Sequence, residues 1–189
     1  MKKIIVSIVL VSLSFATVNA QNFHIGAKAG LNLTSLSGDF ESAKAKTSFH
    51  FGGMVEIPIL DKLSVQPELL YSSQGAKSKF DSDDIIKLNY VTVPIMAKYY
   101  VWELLSVEAG PQVGFLLTAE REDDGQLEDL KDITKSVDIG VNLGLGYKLP
   151  MGLNFGLRYN FGRNINSDND SSTKVKNSVF QISAGYFFN

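Results

Sequence analysis

The side chains able to do chemistry in this 189-residue chain are few: two histidines, His24 and His50, and no cysteine. Thiolate zinc sites, cysteine nucleophiles and disulfide frameworks are therefore excluded. His50 lies near Ser48 and Glu56, the residue types of a base, a hydroxyl nucleophile and an orienting carboxylate. Glu56, however, stands three same-face steps along a strand from His50, too far for one catalytic cluster. Both histidines fall at strand ends on a polar face. No catalytic residue and no cofactor is expected.

Two other patterns invite a chemical reading. Residues Glu120 to Asp132 hold seven acids against two bases, and Asp168-Asn169-Asp170 stands further on. Oxygen-rich loops can hold calcium, but Asp123-Asp124-Gly125 lacks the twelve-residue ligand spacing of an EF-hand. A solvated surface loop is the expectation, with no metal. Gly140, Gly144 and Gly146 resemble a phosphate loop only superficially. Such a loop needs glycines in a strand-to-helix turn, and these sit inside an alternating strand.

A third set is larger. Lys28, Glu56, Glu68, Lys98, Glu108, Asp138 and Arg158 are charged residues placed at mid-strand on one face of a period-two pattern. From Phe23 the odd positions read Phe23, Ile25, Ala27, Ala29, Leu31 and Leu33. The even ones between them read His24, Gly26, Lys28, Gly30 and Asn32. In a strand these two sets point to opposite sides of a sheet.

The same alternation returns around Phe49–Ile57, Leu63–Tyr71, Lys87–Tyr100, Leu105–Leu117, Val137–Tyr147, Leu153–Phe161 and Phe180–Phe188, for eight strands in all. The fifth sets Leu105, Val107, Ala109, Val113, Phe115 and Leu117 against a face that includes Gly114 and Thr118. Pro67, Pro94 and Pro111 interrupt predicted strands, where a missing N–H implies a bulge or a local end of pairing.

The first twenty residues have a different character. Lys2 and Lys3 precede the apolar run Ile4 to Phe15, and Val18-Asn19-Ala20 offers small residues at a cleavage site. This is a secretory signal, with an apolar stretch too short to span a bilayer; a retained anchor is the weaker reading. Two domains of function follow: residues 1–20 as signal peptide and 21–189 as the folded unit.

The connections between strands alternate in length. Pro58–Lys62, Tyr100–Leu104 and Lys148–Gly152 are tight, whereas residues 34–48, 75–86, 120–134 and 162–176 form long polar stretches. Short turns on one side and long loops on the other is the asymmetry of outer-membrane barrels. Glycine on the polar face suits the cramped lumen of an eight-stranded barrel better than a water-facing sheet. The apolar face is as long as a hydrocarbon layer is deep, and Tyr71, Tyr99, Trp102, Tyr147, Tyr159 and Phe188 stand at its ends as interfacial girdles. In lipid such a sheet must close, because an open edge would leave backbone groups unpaired. Lumen charges must then pair with one another, giving a plug with no wide pore. With 18 basic against 20 acidic residues there is no surplus of positive charge for nucleic acid.

Several segments together resemble the outer-membrane β-barrel family typified by PorT, common in Bacteroidota envelopes. They are Gly26-Ala27-Lys28-Ala29-Gly30-Leu31-Asn32, Pro67-Glu68-Leu69-Leu70-Tyr71, Leu88-Asn89-Tyr90-Val91-Thr92-Val93-Pro94, Glu108-Ala109-Gly110-Pro111, Asp138-Ile139-Gly140, Gly144-Leu145-Gly146-Tyr147 and Arg158-Tyr159. The chain departs from that pattern at Thr92, where relatives often carry an acid, and at Asn189, which follows the terminal aromatic Phe188. The resemblance implies an eight-stranded outer-membrane barrel and a link to protein secretion.

The expected fold is thus all-β, a closed eight-stranded antiparallel up-and-down transmembrane barrel in a Gram-negative outer membrane. The expected role is non-enzymatic, structural or accessory, in secretion or surface interaction. Its partners would be outer-membrane lipid and envelope proteins met through loops 34–48, 75–86, 120–134 and 162–176, with the barrel monomeric. Two alternatives remain open at this point: a lipid-modifying outer-membrane enzyme, and a soluble secreted carrier resembling lipocalins, whose cavity would be apolar and exterior polar.

Overall fold

A computed structural model of the chain describes residues 23–38, 43–78, 84–123, 126–132, 134–164 and 175–188. The expected signal segment, residues 1–20, lies outside the described residues. The strands are β1 (His24–Gly38), β2 (Ala43–Leu60), β3 (Leu63–Ser78), β4 (Ile85–Tyr100), β5 (Leu105–Asp123), β6 (Gln126–Asp129), β7 (Val137–Lys148), β8 (Leu153–Asn164) and β9 (Val175–Phe187). Every pairing is antiparallel, and two of them close the sheet: β1 with β9, and β4 with β5. The ring therefore runs β1-β2-β3-β4-β5-β7-β8-β9 and back to β1. It has eight strands and no edge.

The direction of the side chains is that of a membrane protein. Along β7, Ile139, Val141, Leu143 and Leu145 point outward and are each about half exposed, while Asn142 between them is fully buried. The same inversion holds around the wall, with Leu31, Phe51, Leu69, Ile95, Leu157 and Ile182 outside. An apolar belt of this extent on a water-soluble monomer would be an aggregation surface. Against acyl chains it is the favourable arrangement, and closure satisfies the backbone groups that lipid cannot. The carrier alternative, with an apolar cavity and a polar exterior, is excluded by this orientation.

The structure corrects the sequence reading in three places. First, strand pairing runs into the stretches expected as long loops. β1 runs on to Gly38, β2 starts at Ala43, β3 reaches Ser78 and β4 begins at Ile85. Apolar alternation stops where the lipid belt stops, but backbone pairing needs no alternation and continues into water. Second, the acidic stretch 120–134 is a hairpin, in which Glu120–Asp123 pair with a ninth strand, β6, outside the ring.

Third, Thr118 does not face inward. A register shift at Asn89/Tyr90, opposite Thr118 and Leu116, inserts one extra residue in β5. The bulge reverses facing above it, so that Leu116 and Ala119 are both buried and Leu117 points out. The three strand prolines take the second of the two forms expected of them, a local lapse of pairing without a bulge. Pairing lapses opposite Pro67 on the β2 side, opposite Pro94 on the β3 side and opposite Pro111 on the β4 side, then resumes in the same register. Each proline lacks one N–H, so it drops a ladder bond on the single neighbour that N–H would face. The other neighbour still pairs: Pro67 opposes Ile95, Pro94 opposes Gln112 and Pro111 opposes Val141.

Candidate functional site: the lumen

Alternation places the inward residues of non-adjacent strands against each other, and there the charged residues meet. Glu68 on β3 receives Arg158 from β8 in a two-pronged pair, with Nη1 and Nη2 each 2.9 Å from a carboxylate oxygen. Lys28 on β1 lies 3.3 Å from both Glu68 oxygens, and Gln66 donates to Oε1 at 2.7 Å. Arg158 Nη2 also reaches Glu108 at 3.3 Å, and Glu108 in turn faces Lys98 at 3.4 Å. Lys98 passes the chain on to Glu56 at 3.3 Å, with Gln66 Oε1 accepting from it at 3.0 Å. Glu56 then accepts from Tyr100 Oη at 2.7 Å and from Lys148 at 3.4 Å.

One continuous network thus links Lys28, Glu68, Arg158, Glu108, Lys98 and Glu56 to Lys148. Six of the seven charges singled out by spacing belong to it. The seventh, Asp138, lies elsewhere, opposite Gly114 and beside Tyr90. The spacing ends the fourth strand at Tyr100 and puts Lys148 in the turn Lys148–Gly152; both are the last residues of their strands, Tyr100 N donating to Lys62 O and Lys148 N to Leu104 O, each at 2.8 Å. The even-position rule that picks out Lys98 and Asp138 reaches Lys148 once its strand is carried one residue further.

Burial of so many charges is tolerable because each carboxylate is met by several donors; an unpaired one would be costly. Room for the network comes from glycine. A Cβ at Gly146 would lie 2.3 Å from Glu108 Oε1 and 2.6 Å from Ser106 Oγ. The β7 glycines therefore accommodate lumen side chains, and nothing in them resembles a phosphate cradle. The cavity left beside the network measures about 10 Å³, roughly room for one water.

A neutral layer lies above the charges. His50 Nδ1 is 2.8 Å from Asn32 Oδ1, and Gln181 donates to the same oxygen at 3.0 Å. Asn32 Nδ2 donates to Ser72 Oγ and to the Ser73 carbonyl. Asn160 donates to Asn142, which donates to Gln112. Ser48 Oγ donates to the Ser73 carbonyl at 2.6 Å, and His50 Nδ1 is bonded to Asn32, with no hydrogen bond between Ser48 and His50 among the described residues. Ser48, His50 and Glu56 are not brought together as a catalytic cluster.

Above this layer the interior turns apolar. Ala76, Leu88, Tyr90, Leu116 and Ala119 form a buried cluster, with Ile86 and Leu130 packed on it. This cap was not foreseen, since the inner face was expected to be glycine and charge; the apolar even positions Leu88 and Tyr90 were its signal. Outside it, in the hairpins beyond the lipid belt, Arg121 grips Asp84 with two bonds of 2.8 and 2.9 Å, and Lys87 pairs with Glu122. The Arg121 guanidinium holds the Asp84 carboxyl below its ordinary value. Among the described residues, no group of three or more His, Asp or Glu is arranged to hold a metal ion.

With this geometry in hand, likeness to other proteins can be stated. Residues 19–167 match the family described as outer membrane protein beta-barrel domain. That is a broader assignment than the PorT-typified group to which the sequence motifs pointed. The fold is similar to the crystal structure of Neisserial surface protein A, with a TM-score of 0.60 at 11% identity, covering 89% of this chain and 100% of that one. It is also similar to Ail, the attachment invasion locus protein of Yersinia pestis, with a TM-score of 0.55 at 16% identity and coverage of 89% and 100%. A structure of Ail in a phospholipid bilayer nanodisc gives a TM-score of 0.53 at 16% identity, covering 88% and 100%. No curated protein matches the chain.

Proposed function

The chain belongs to the outer membrane protein β-barrel domain family and resides in a Gram-negative outer membrane, and from that footing we propose that it is a non-conducting, non-enzymatic barrel acting through its outer hairpins. Residues 1–20 serve as its cleaved export signal, and the mature barrel is a monomer. The observation that carries this reading is the filling of the lumen from the ion network to the apolar cap. A seven-residue ion network, a neutral polar layer and an apolar cap are stacked along the axis, with a void of only about 10 Å³ beside the charges.

The short turns face the periplasm and the long hairpins the cell exterior, as the asymmetry of such barrels dictates. β1 to β5 then extend beyond the lipid belt as paired strands. The β5–β6 hairpin carries Glu120, Glu122, Asp123, Glu128 and Asp129 against the single base Arg121. That charge favours an envelope or surface partner with a cationic face. A role in secretion, as the PorT-typified motifs imply, would use the same hairpins. Planar-bilayer recording tests the plug: the purified barrel should show no stable channel, whereas steady steps of conductance would refute it. Pull-down from outer membranes, with a variant lacking the five hairpin acids as control, tests the partner surface.

A further inference from the structure

The lumen is not filled to both ends. Below the ion network, at the short-turn end, it opens into a cup of about 720 Å³. This lies within the range of small-molecule pockets, which join mostly apolar walls to a few convergent polar groups. The walls here include Leu60, Leu104, Leu149, Trp102 and Phe187. The floor includes Lys148, His24 and Glu56.

The floor presents donors. Glu56 is only 2% exposed and already accepts from Lys98, Tyr100 and Lys148. Lys148 has three N–H groups and gives one bond, to Glu56, while its ammonium rests 4.6 Å from the Phe187 ring centroid. His24 packs against the same ring at 6.0 Å, and its buried Nδ1 has no hydrogen-bond partner among the described residues. Asp61 and Glu103 also line the cup, but on the exposed turns at its mouth, where Lys62 accompanies them.

The mouth joins those charges to apolar side chains: Leu60 and Trp102, which line it, are 67% and 73% exposed, and Met151, on the third short turn, is 70% exposed. Large apolar side chains at turn tips, tryptophan above all, belong to the membrane interface. We infer that the cup is a binding site for a single-chain anionic amphiphile, such as a fatty carboxylate, entering from the inner leaflet. Its head would sit between Lys148 and His24 and its chain against Leu104, Leu149 and Trp102. The ion network closes the path above, so the site binds and does not translocate.

Trp102 is the only tryptophan in the chain and lines the mouth, so it reports occupancy directly. The test is quenching of its fluorescence, in the full mature barrel in phospholipid nanodiscs, by dodecanoate brominated along its chain. Saturable quenching is expected, reversed by unlabelled dodecanoate, weakened at least tenfold by Lys148→Met or His24→Phe, and absent as a saturable signal with the equally brominated alcohol. Linear quenching that is alike for acid and alcohol would mean simple partitioning into lipid and would overturn the inference. So would saturation that both variants leave unchanged. The acid–alcohol comparison uses the wild-type barrel and so stands even if a variant does not fold.

Discussion

Arg158 and Glu68 stand 90 residues apart in sequence and on strands that do not touch, yet their guanidinium and carboxylate meet in a two-pronged pair at 2.9 Å. The pair ties β8 to β3 across the axis, and it is the centre from which the rest of the ion network extends.

Removing one member strands its partner in the lumen. Glu68→Gln should destabilise the folded barrel by about 3–5 kcal/mol, the usual loss when one partner of a buried pair is deleted. The double variant Glu68→Met/Arg158→Met should lose clearly less than the sum of the two single changes. Urea unfolding in lipid vesicles measures both, and strict additivity would show that the two residues do not act as a pair.

The outward facing of β7 has a depth signature. Val141 stands half exposed in the middle of the belt, so Val141→Arg should cost about 2–4 kcal/mol. Val137, at the start of the strand, should cost only about 0–1 kcal/mol for the same change. Equal losses at the two positions in the same unfolding assay would contradict the placement of the lipid belt.

Two glycines should respond oppositely to a methyl group. At Gly146 a Cβ would collide with Glu108 and Ser106, so Gly146→Ala should lose about 1–3 kcal/mol through overpacking. At Gly53, on the outer wall, the nearest atom would be 3.9 Å away. Gly53→Ala should therefore hold stability or raise it, by up to about 1 kcal/mol, as glycine is replaced inside a strand.

The outer hairpins should carry an acid-sensitive tie. Asp84 has its carboxyl held below the ordinary value by Arg121, so the ion pair contributes to the fold above about pH 4. That contribution is lost as pH falls through the depressed value, when the carboxylate is protonated. Both groups are partly exposed, which keeps the effect local. Amide protection factors at the outer ends of β4 and β5, taken relative to the intrinsic exchange rate at each pH, should fall on acidification, and Asp84→Asn should show the lower protection already at neutral pH.

Alternation along the chain was enough to reveal the barrel, the facing of most strands and six of the charges now seen in one network. A period-two pattern is a local property, and Lys28, Glu68 and Arg158 announce their side of the sheet from their immediate neighbours alone. The rest depended on relations between strands. The reversal at Leu117/Thr118 follows from a bulge that only the register of β4 against β5 defines. The harmlessness of Pro94 depends on which neighbour its missing N–H would have faced. The apolar cap arises because Ala76, Leu88, Leu116 and Ala119 converge from three strands, and the cup exists because Lys148, His24 and Phe187 arrive together at one end. Away from that bulge, sequence specifies which way a residue points; which residues it points at is a matter of shear and closure, and those belong to the assembled barrel.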